Sequence, residues 1–218
     1  MKKKLALFLA AAAVISVAYQ PSAEAVNLGN VINRPSIGRG TTNRSVLNQA
    51  VNKAVNKMQS KTITFQSLPQ TAADVAVGND AYRVAAMAVA ALARYETSPD
   101  DSIAMLNVLL GPRPVNGIDS QFIRDRYRGK AYIMRSYFKG ATPKNNYTPN
   151  QPYAVEIQTN PYTYQQKGYA RFLVASGGAD TPRPITVRQK ESTGEWFLWD
   201  YKSLLTGIRI PASEDPWS

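Results

Sequence analysis

Residues 84–93 read VAAMAVAALA, ten apolar side chains in a row between Arg83 and Arg94. A membrane-spanning helix needs about 20 such residues, so this run is too short to cross a bilayer. A helix that is apolar all round is instead buried inside a protein. Its alanines let neighbouring elements approach closely, and close packing then demands large side chains from whatever covers it. The pattern predicts a helix over 74–95, and the fold turns on what wraps it.

Two more helical stretches follow. In SPDDSIAMLNVLLGP (98–112), Ser98 is a cap, Pro99 fits the first turn, Asp100 and Asp101 suit the positive end, and Gly111-Pro112 stops the helix. IDSQFIRDRYRGKAYIMRSYF (118–138) reads as one amphipathic helix, with Phe122, Ile123 and Tyr127 on one side and Arg124, Arg126 and Arg128 on another. Beyond Gly140 the texture changes. GATPKNNYTPNQPY (140–153) is turn-rich, and four strand-like runs come after it at 153–160, 168–177, 184–191 and 195–201. STG (192–194) closes the last two into a hairpin, whereas TITF (62–65) reads only as a short strand or an extended entry. Helices followed by strands predict an α+β fold with a four-stranded antiparallel meander. A sheet curved around helix 74–95 would resemble an NTF2-like or cystatin-like cone, with a small β-roll or barrel as the alternative.

The segment before this domain has its own logic. MKKK is basic, residues 5–18 are apolar, and Ala23 and Ala25 place small side chains before Val26. That is the pattern of a secretory signal peptide over 1–25, cleaved after Ala25. It predicts export to the periplasm, the cell envelope or the medium. Residues 26–60 comprise an Asn/Gly/Arg-rich leader and an amphipathic helix, SVLNQAVNKAVNKM (45–58), suited to docking on the domain, to self-association or to an anionic surface. Residues 61–218 form the single α+β domain.

Composition narrows the chemistry. The chain has no Cys and no His. Disulfides, thiol nucleophiles, His-based triads and His- or Cys-ligated zinc are therefore excluded. There is no P-loop, EF-hand or G-x-G-x-x-G pattern. No catalytic residue, metal ligand or cofactor is assigned. The formal charge is +11, and without the three Lys and one Glu of residues 1–25 it is +9. A basic exported protein meets anionic wall polymer, lipid head groups or an acidic envelope protein. Nucleic acid is not expected, since export removes the chain from it.

The candidate site residues come from three stretches. In EWFLWDY (195–201), Trp196, Leu198 and Asp200 share one face and Phe197, Trp199 and Tyr201 the other. Apolar residues on both faces predict a strand that is central or covered on both sides. One aromatic set is then core, and the other is either covered or lines a ligand pocket. Trp196, Trp199, Tyr201 and Asp200 are candidates on that ground. Arg183 and Arg188 flank them from SGGADTPRPI (176–185) and the strand after it, where Ile185 and Val187 face inward. Arg124 and Arg128 in IRDRYRGK form either a solvated helix face or a site for phosphate or carboxylate. Asp200 and Glu156 are strand carboxylates that a tyrosine-assisted enzyme would need together. NNY (145–147) and NPYTY (160–164) add amides and tyrosines typical of recognition loops and of ordinary turns. SEDPW (213–217) is expected to tuck Trp217 onto the domain.

GATPKNNYTP, SGGADTPRPI and SEDPW, taken with the residues around them over 70–218, resemble a domain of unknown function found in exported and hypothetical bacterial proteins. The resemblance implies no activity, cofactor or catalytic residue, and it leaves residues 26–60 outside the family's pattern. The function expected is a non-enzymatic binding or envelope-associated module that recognises an anionic or an aromatic/apolar group on its sheet. A carboxylate/tyrosine enzyme and an oligomerising structural helper are the alternatives.

Overall fold

A computed structural model of the chain describes residues 59–217. The signal segment, the leader and the amphipathic helix 45–58 lie outside the described residues. The elements run β1 (Ser60–Phe65), α1 (Ala81–Ala93), α2 (Pro99–Leu110), α3 (Gly117–Tyr127), α4 (Tyr132–Arg135), β2 (Tyr153–Gln158), β3 (Tyr169–Val174), β4 (Arg183–Gln189) and β5 (Trp196–Asp200). The class is α+β, and the sheet is antiparallel and open, in the order β1-β2-β3-β4-β5.

The sheet has five strands rather than the expected four. TITF is the centre of β1, which pairs with β2 along its whole length from Ser60↔Gln158 to Phe65↔Tyr153. Its partner lies some ninety residues away, so no local pattern announces the pairing. Because the order is linear, both edges are open and no barrel closes. β2 and β3 pair only at Ile157↔Val174 and Gln158↔Leu173. Below that point Phe138 bridges Val155, and Lys139 donates to the Ala154 carbonyl at 2.8 Å. The segment after α4 thus fills the gap where β2 and β3 part.

α1 packs across the inner face of this sheet, against β1, β2, β4 and β5. Val84 to Leu92 are buried throughout, and Phe172, Ile157, Ile185, Val187 and Leu198 supply the volume that the alanines lack. Its start is shifted from the expected residue 74 to Ala81. Trp196 N–H donates to the Gly78 carbonyl at 2.8 Å, which holds residue 78 extended against β5. Asp80 then caps the helix, accepting from the Tyr82 and Arg83 N–H groups, and pairs with Lys61 at 2.7 Å. α2 follows the local signals closely: the Ser98 side chain accepts from Asp101 N–H, Pro99 opens the helix, and Gly111 ends it at φ +60°. Ser102, buried in the α1–α2 contact, donates to the Ala91 carbonyl at 2.8 Å.

The stretch expected as one helix over 118–138 is two, α3 and α4. Gly129 at φ +65° breaks it, and Lys130 and Ala131 reorient the chain.

Of the two readings open for the turn-rich strings, recognition loop and structural turn, the geometry around NNY and SGGADTPRPI is that of interlocked turns. Tyr147 is fully buried, stacks on Tyr132 with centroids 5.5 Å apart, and donates its hydroxyl to the Arg209 carbonyl. The Asn145 side chain is used up bonding Thr142 N–H and the Gly140 and Thr148 carbonyls. A Cβ on Gly177 would stand 1.9 Å from the Ala141 oxygen, and one on Gly178 would stand 2.3 Å from the Tyr147 hydroxyl. Asp180 and Arg209 form an ion pair, and Ser213 bonds Asn146 at 2.7 Å. Loop 140–149, turn 176–185 and tail 207–215 therefore assemble on one another. Trp217 does not tuck in as expected: its N–H caps the Asp215 carboxylate in a local turn, and its ring is 93% exposed.

Candidate functional site

The outer face of the sheet, away from α1, decides what the candidate residues can do. Alternation from the core positions puts Tyr169 and Arg171 of β3, Thr186 and Arg188 of β4, and Phe197 and Trp199 of β5 on that face. Between Thr186 and Val187 the β4–β5 register slips: Val187 faces Leu198, whereas Thr186 faces Asp200. Trp199 is the extra residue of this bulge. The bulge corrects the expected face pattern of 195–201. Asp200 joins Trp199 on the outside, and Tyr201 joins Leu198 inside. β5 is also an edge strand, not a central one. Its cover comes from Gly78 on one side and from the loop after α2 on the other. There a Cβ on Gly111 would meet the Phe197 ring at 2.5 Å, so the bare glycine is what allows the loop to close on the strand.

That loop delivers Arg113 to Trp199. The Arg113 guanidinium lies 3.6 Å from the indole centroid and donates to the Trp199 carbonyl at 2.8 Å. Arg188 approaches the same ring at 4.7 Å and the Tyr169 ring at 5.3 Å, and Tyr169 meets Trp199 edge-on at 5.4 Å. The four side chains form one cation–aromatic cluster. They line an open cleft of about 540 Å³, whose rim adds Lys167, Lys190 and Glu191. Four cations thus stand against one carboxylate. Lys167 and Glu191 pair at 3.8 Å across highly exposed side chains, a contact worth little in water. Among the described residues, Arg188 and Lys190 have ring contacts or none, and neither side chain has a hydrogen-bond or ion-pair partner. Arg188 therefore keeps its full fork of N–H donors for an incoming oxyanion.

The expected site residues separate into three groups. Trp199 and Arg188 meet in the cleft, and Asp200 lies beside it, exposed, accepting the Lys202 N–H at 3.1 Å. Arg124 and Arg128 share a different cavity of about 540 Å³ at the start of α2, where Glu96 and Asp100 face them and where they bond Gln121 and Asp125 of their own helix. The remaining three are structural. Trp196 packs half-buried on the core beside Gly78. Tyr201 is buried, and burial, with the Asp119 and Asp200 carboxylates near it, raises its phenol well above the usual range. Arg183 donates to the Gly207 carbonyl at 2.6 Å and braces the tail. Glu156 belongs to β2, where it pairs with Lys139 at 3.4 Å. Two strands separate it from Asp200, and Asp200 lies level with Arg171 whereas Glu156 lies level with Ala175, so the two backbones stand more than about 14 Å apart. The two carboxylates do not form a general acid–base pair.

Arg113 and Tyr169 were not expected in the site. Arg113 stands between two prolines in GPRP, read only as a helix stop, and its ring partner lies 86 residues away. Tyr169 could have been found, because GYARFL alternates Tyr169 and Arg171 against the buried Ala170 and Phe172.

The model of a domain of unknown function, DUF6935, matches residues 42–212. The chain belongs to the DUF6935 family. The match starts earlier than the expected residue 70, so the family domain takes in stretch 45–58. It ends before SEDPW, which places that string outside the matched range. The cation–aromatic cluster lies wholly within the DUF6935 match. No curated protein and no solved structure matches the chain.

Proposed function

We propose that this DUF6935 protein is an exported, non-enzymatic binding module that takes an anionic polymer of the cell envelope into the cleft between β4, β5 and the loop after α2. One observation carries the reading: Arg188 lies against the Trp199 and Tyr169 rings with its polar edge unpartnered, in a cleft whose rim carries four cations and one carboxylate. Contact with the two rings restrains the Arg188 side chain, so less side-chain freedom is lost when an oxyanion binds. The net charge, +9 once residues 1–25 are removed, favours the same class of partner at long range. Export rests on the basic, apolar and small-residue order of residues 1–25. The space between α1 and the inner sheet face is filled by Met87, Phe172 and Leu198 among others, so the outer face is the better site.

Calorimetric titration of the full chain with sodium polyphosphate tests this. Arg188→Ala combined with Lys190→Ala is expected to weaken binding about tenfold or more, whereas Arg124→Ala with Arg128→Ala leaves it unchanged. The reverse pattern moves the site to the α3 cavity. An absence of heat with the unsubstituted chain removes the reading altogether.

A further inference from the structure

Tyr169 and Trp199 line the cleft and also a second hollow of about 550 Å³ on the same outer face. The two rings form a ridge between the hollows. Their chemistry differs. The second hollow presents the amides of Gln165 and Gln166, the hydroxyls of Thr186 and Ser203, and the Tyr162 ring, which is 69% exposed. Its charged side chains are Arg171 and Asp200, which balance. A ligand that is anionic along its whole length gains nothing there and meets Asp200. A ligand rich in hydroxyls finds acceptors in Asp200 and both kinds of partner in the amides, because an ionised carboxylate only accepts and an amide does both. Asp200 Oδ1 already takes the Lys202 N–H, which orients the carboxylate. Tyrosine and tryptophan rings add flat apolar area with a polar edge. Each hollow alone has the size of a small-ligand site, so the pair suits an oligomer that crosses the ridge.

The geometry points to a linear acidic oligosaccharide as the ligand, with neutral, hydroxyl-bearing rings in the Gln165–Asp200 hollow and an anionic substituent against Arg188 in the cleft. This rests on the anion-binding reading of the cleft and adds the sugar to it. A polyanion without hydroxyls uses the cleft alone.

The test compares two probes on the full chain by calorimetry: an acidic sugar octamer in which neutral N-acetylglucosamine rings alternate with glucuronic acid, and inorganic polyphosphate. Arg188→Ala weakens both. Tyr162→Ala and Asp200→Asn, each at an exposed side chain, weaken the octamer about fivefold or more and do not weaken polyphosphate. Asp200→Asn is the sharper variant, since in a purely electrostatic site the loss of a negative charge strengthens both probes. Strengthening of both overturns the inference, as does an octamer affinity indifferent to Tyr162→Ala. Polyphosphate binding without octamer binding also overturns it but leaves the anion-binding cleft standing. If neither probe binds, the cleft reading fails with it.

Discussion

Trp199 carries two guanidinium groups and the edge of a tyrosine, and yet it contributes nothing to the core. Its neighbour Leu198 is 1% exposed and faces α1 from β5. The two residues separate the proposed site from the core within one peptide bond. Leu198→Ala leaves a cavity against the alanines of α1 and is expected to cost about 2–5 kcal/mol. Trp199→Ala removes contacts of a half-buried ring with two guanidinium groups and Tyr169, and is expected to cost about 1–2 kcal/mol. Trp196, half-buried, falls between them. Urea melts order the three variants, and a Trp199→Ala loss as large as that of Leu198→Ala contradicts the assignment of faces. The sequence could not separate these residues. Apolar side chains on both faces of EWFLWDY were visible, but the bulge that turns Asp200 out and Tyr201 in depends on pairing with β4, a non-local term.

Among the elements, those whose signals are local were legible and those held by distant partners were not. α2 was readable because its cap, first-turn proline, acidic first turn and terminal glycine all act within four residues of their targets. β1 was legible only as TITF, a short strand or extended entry, since its start at Ser60 and its place in the sheet are defined by pairing with β2. The start of α1 moved seven residues because Gly78 pairs with β5 and Asp80 takes over as cap. Asp80 also predicts the acid limb of stability. Burial pushes its pKa up, but the Lys61 ammonium and the Arg83 and Tyr82 N–H groups outweigh this, so its folded value lies below the usual carboxylate range. A depressed carboxylate stabilises the fold above its unfolded pKa, and that contribution is lost as pH falls from about 4 through the folded value. Asp80→Asn keeps a capping side chain but removes the ionisation. Its stability is expected to be lower than wild type at pH 7 and to converge on it near pH 2. A constant difference across that range in denaturant melts contradicts the pairing.

At the scale of the whole molecule, the strings that mark the resemblance turn out to build rather than bind. GATPKNNYTP, SGGADTPRPI and the tail from Gly207 lock through Tyr147, the two glycines and Arg209. Gly177→Ala sets a methyl group against the Ala141 carbonyl, a backbone atom that cannot swing aside, and is expected to cost at least about 1–3 kcal/mol. A melting temperature equal to wild type would show the three segments to be looser than described. The proposed binding face lies elsewhere, on the opposite texture: exposed arginines against half-buried rings on a sheet face whose other side is the core. The chain's three tryptophans report on this division directly. Trp196 packs on the core, Trp217 projects into solvent, and Trp199 lies in the cleft. Indole N–H signals in a heteronuclear NMR titration with polyphosphate, assigned by single Trp→Phe variants, distinguish all three. The Trp199 signal is expected to shift progressively with ligand and to stop doing so in Arg188→Ala, while Trp196 and Trp217 stay in place. A shift confined to Trp217 or Trp196, or a Trp199 signal that never moves, contradicts the cleft as the binding site.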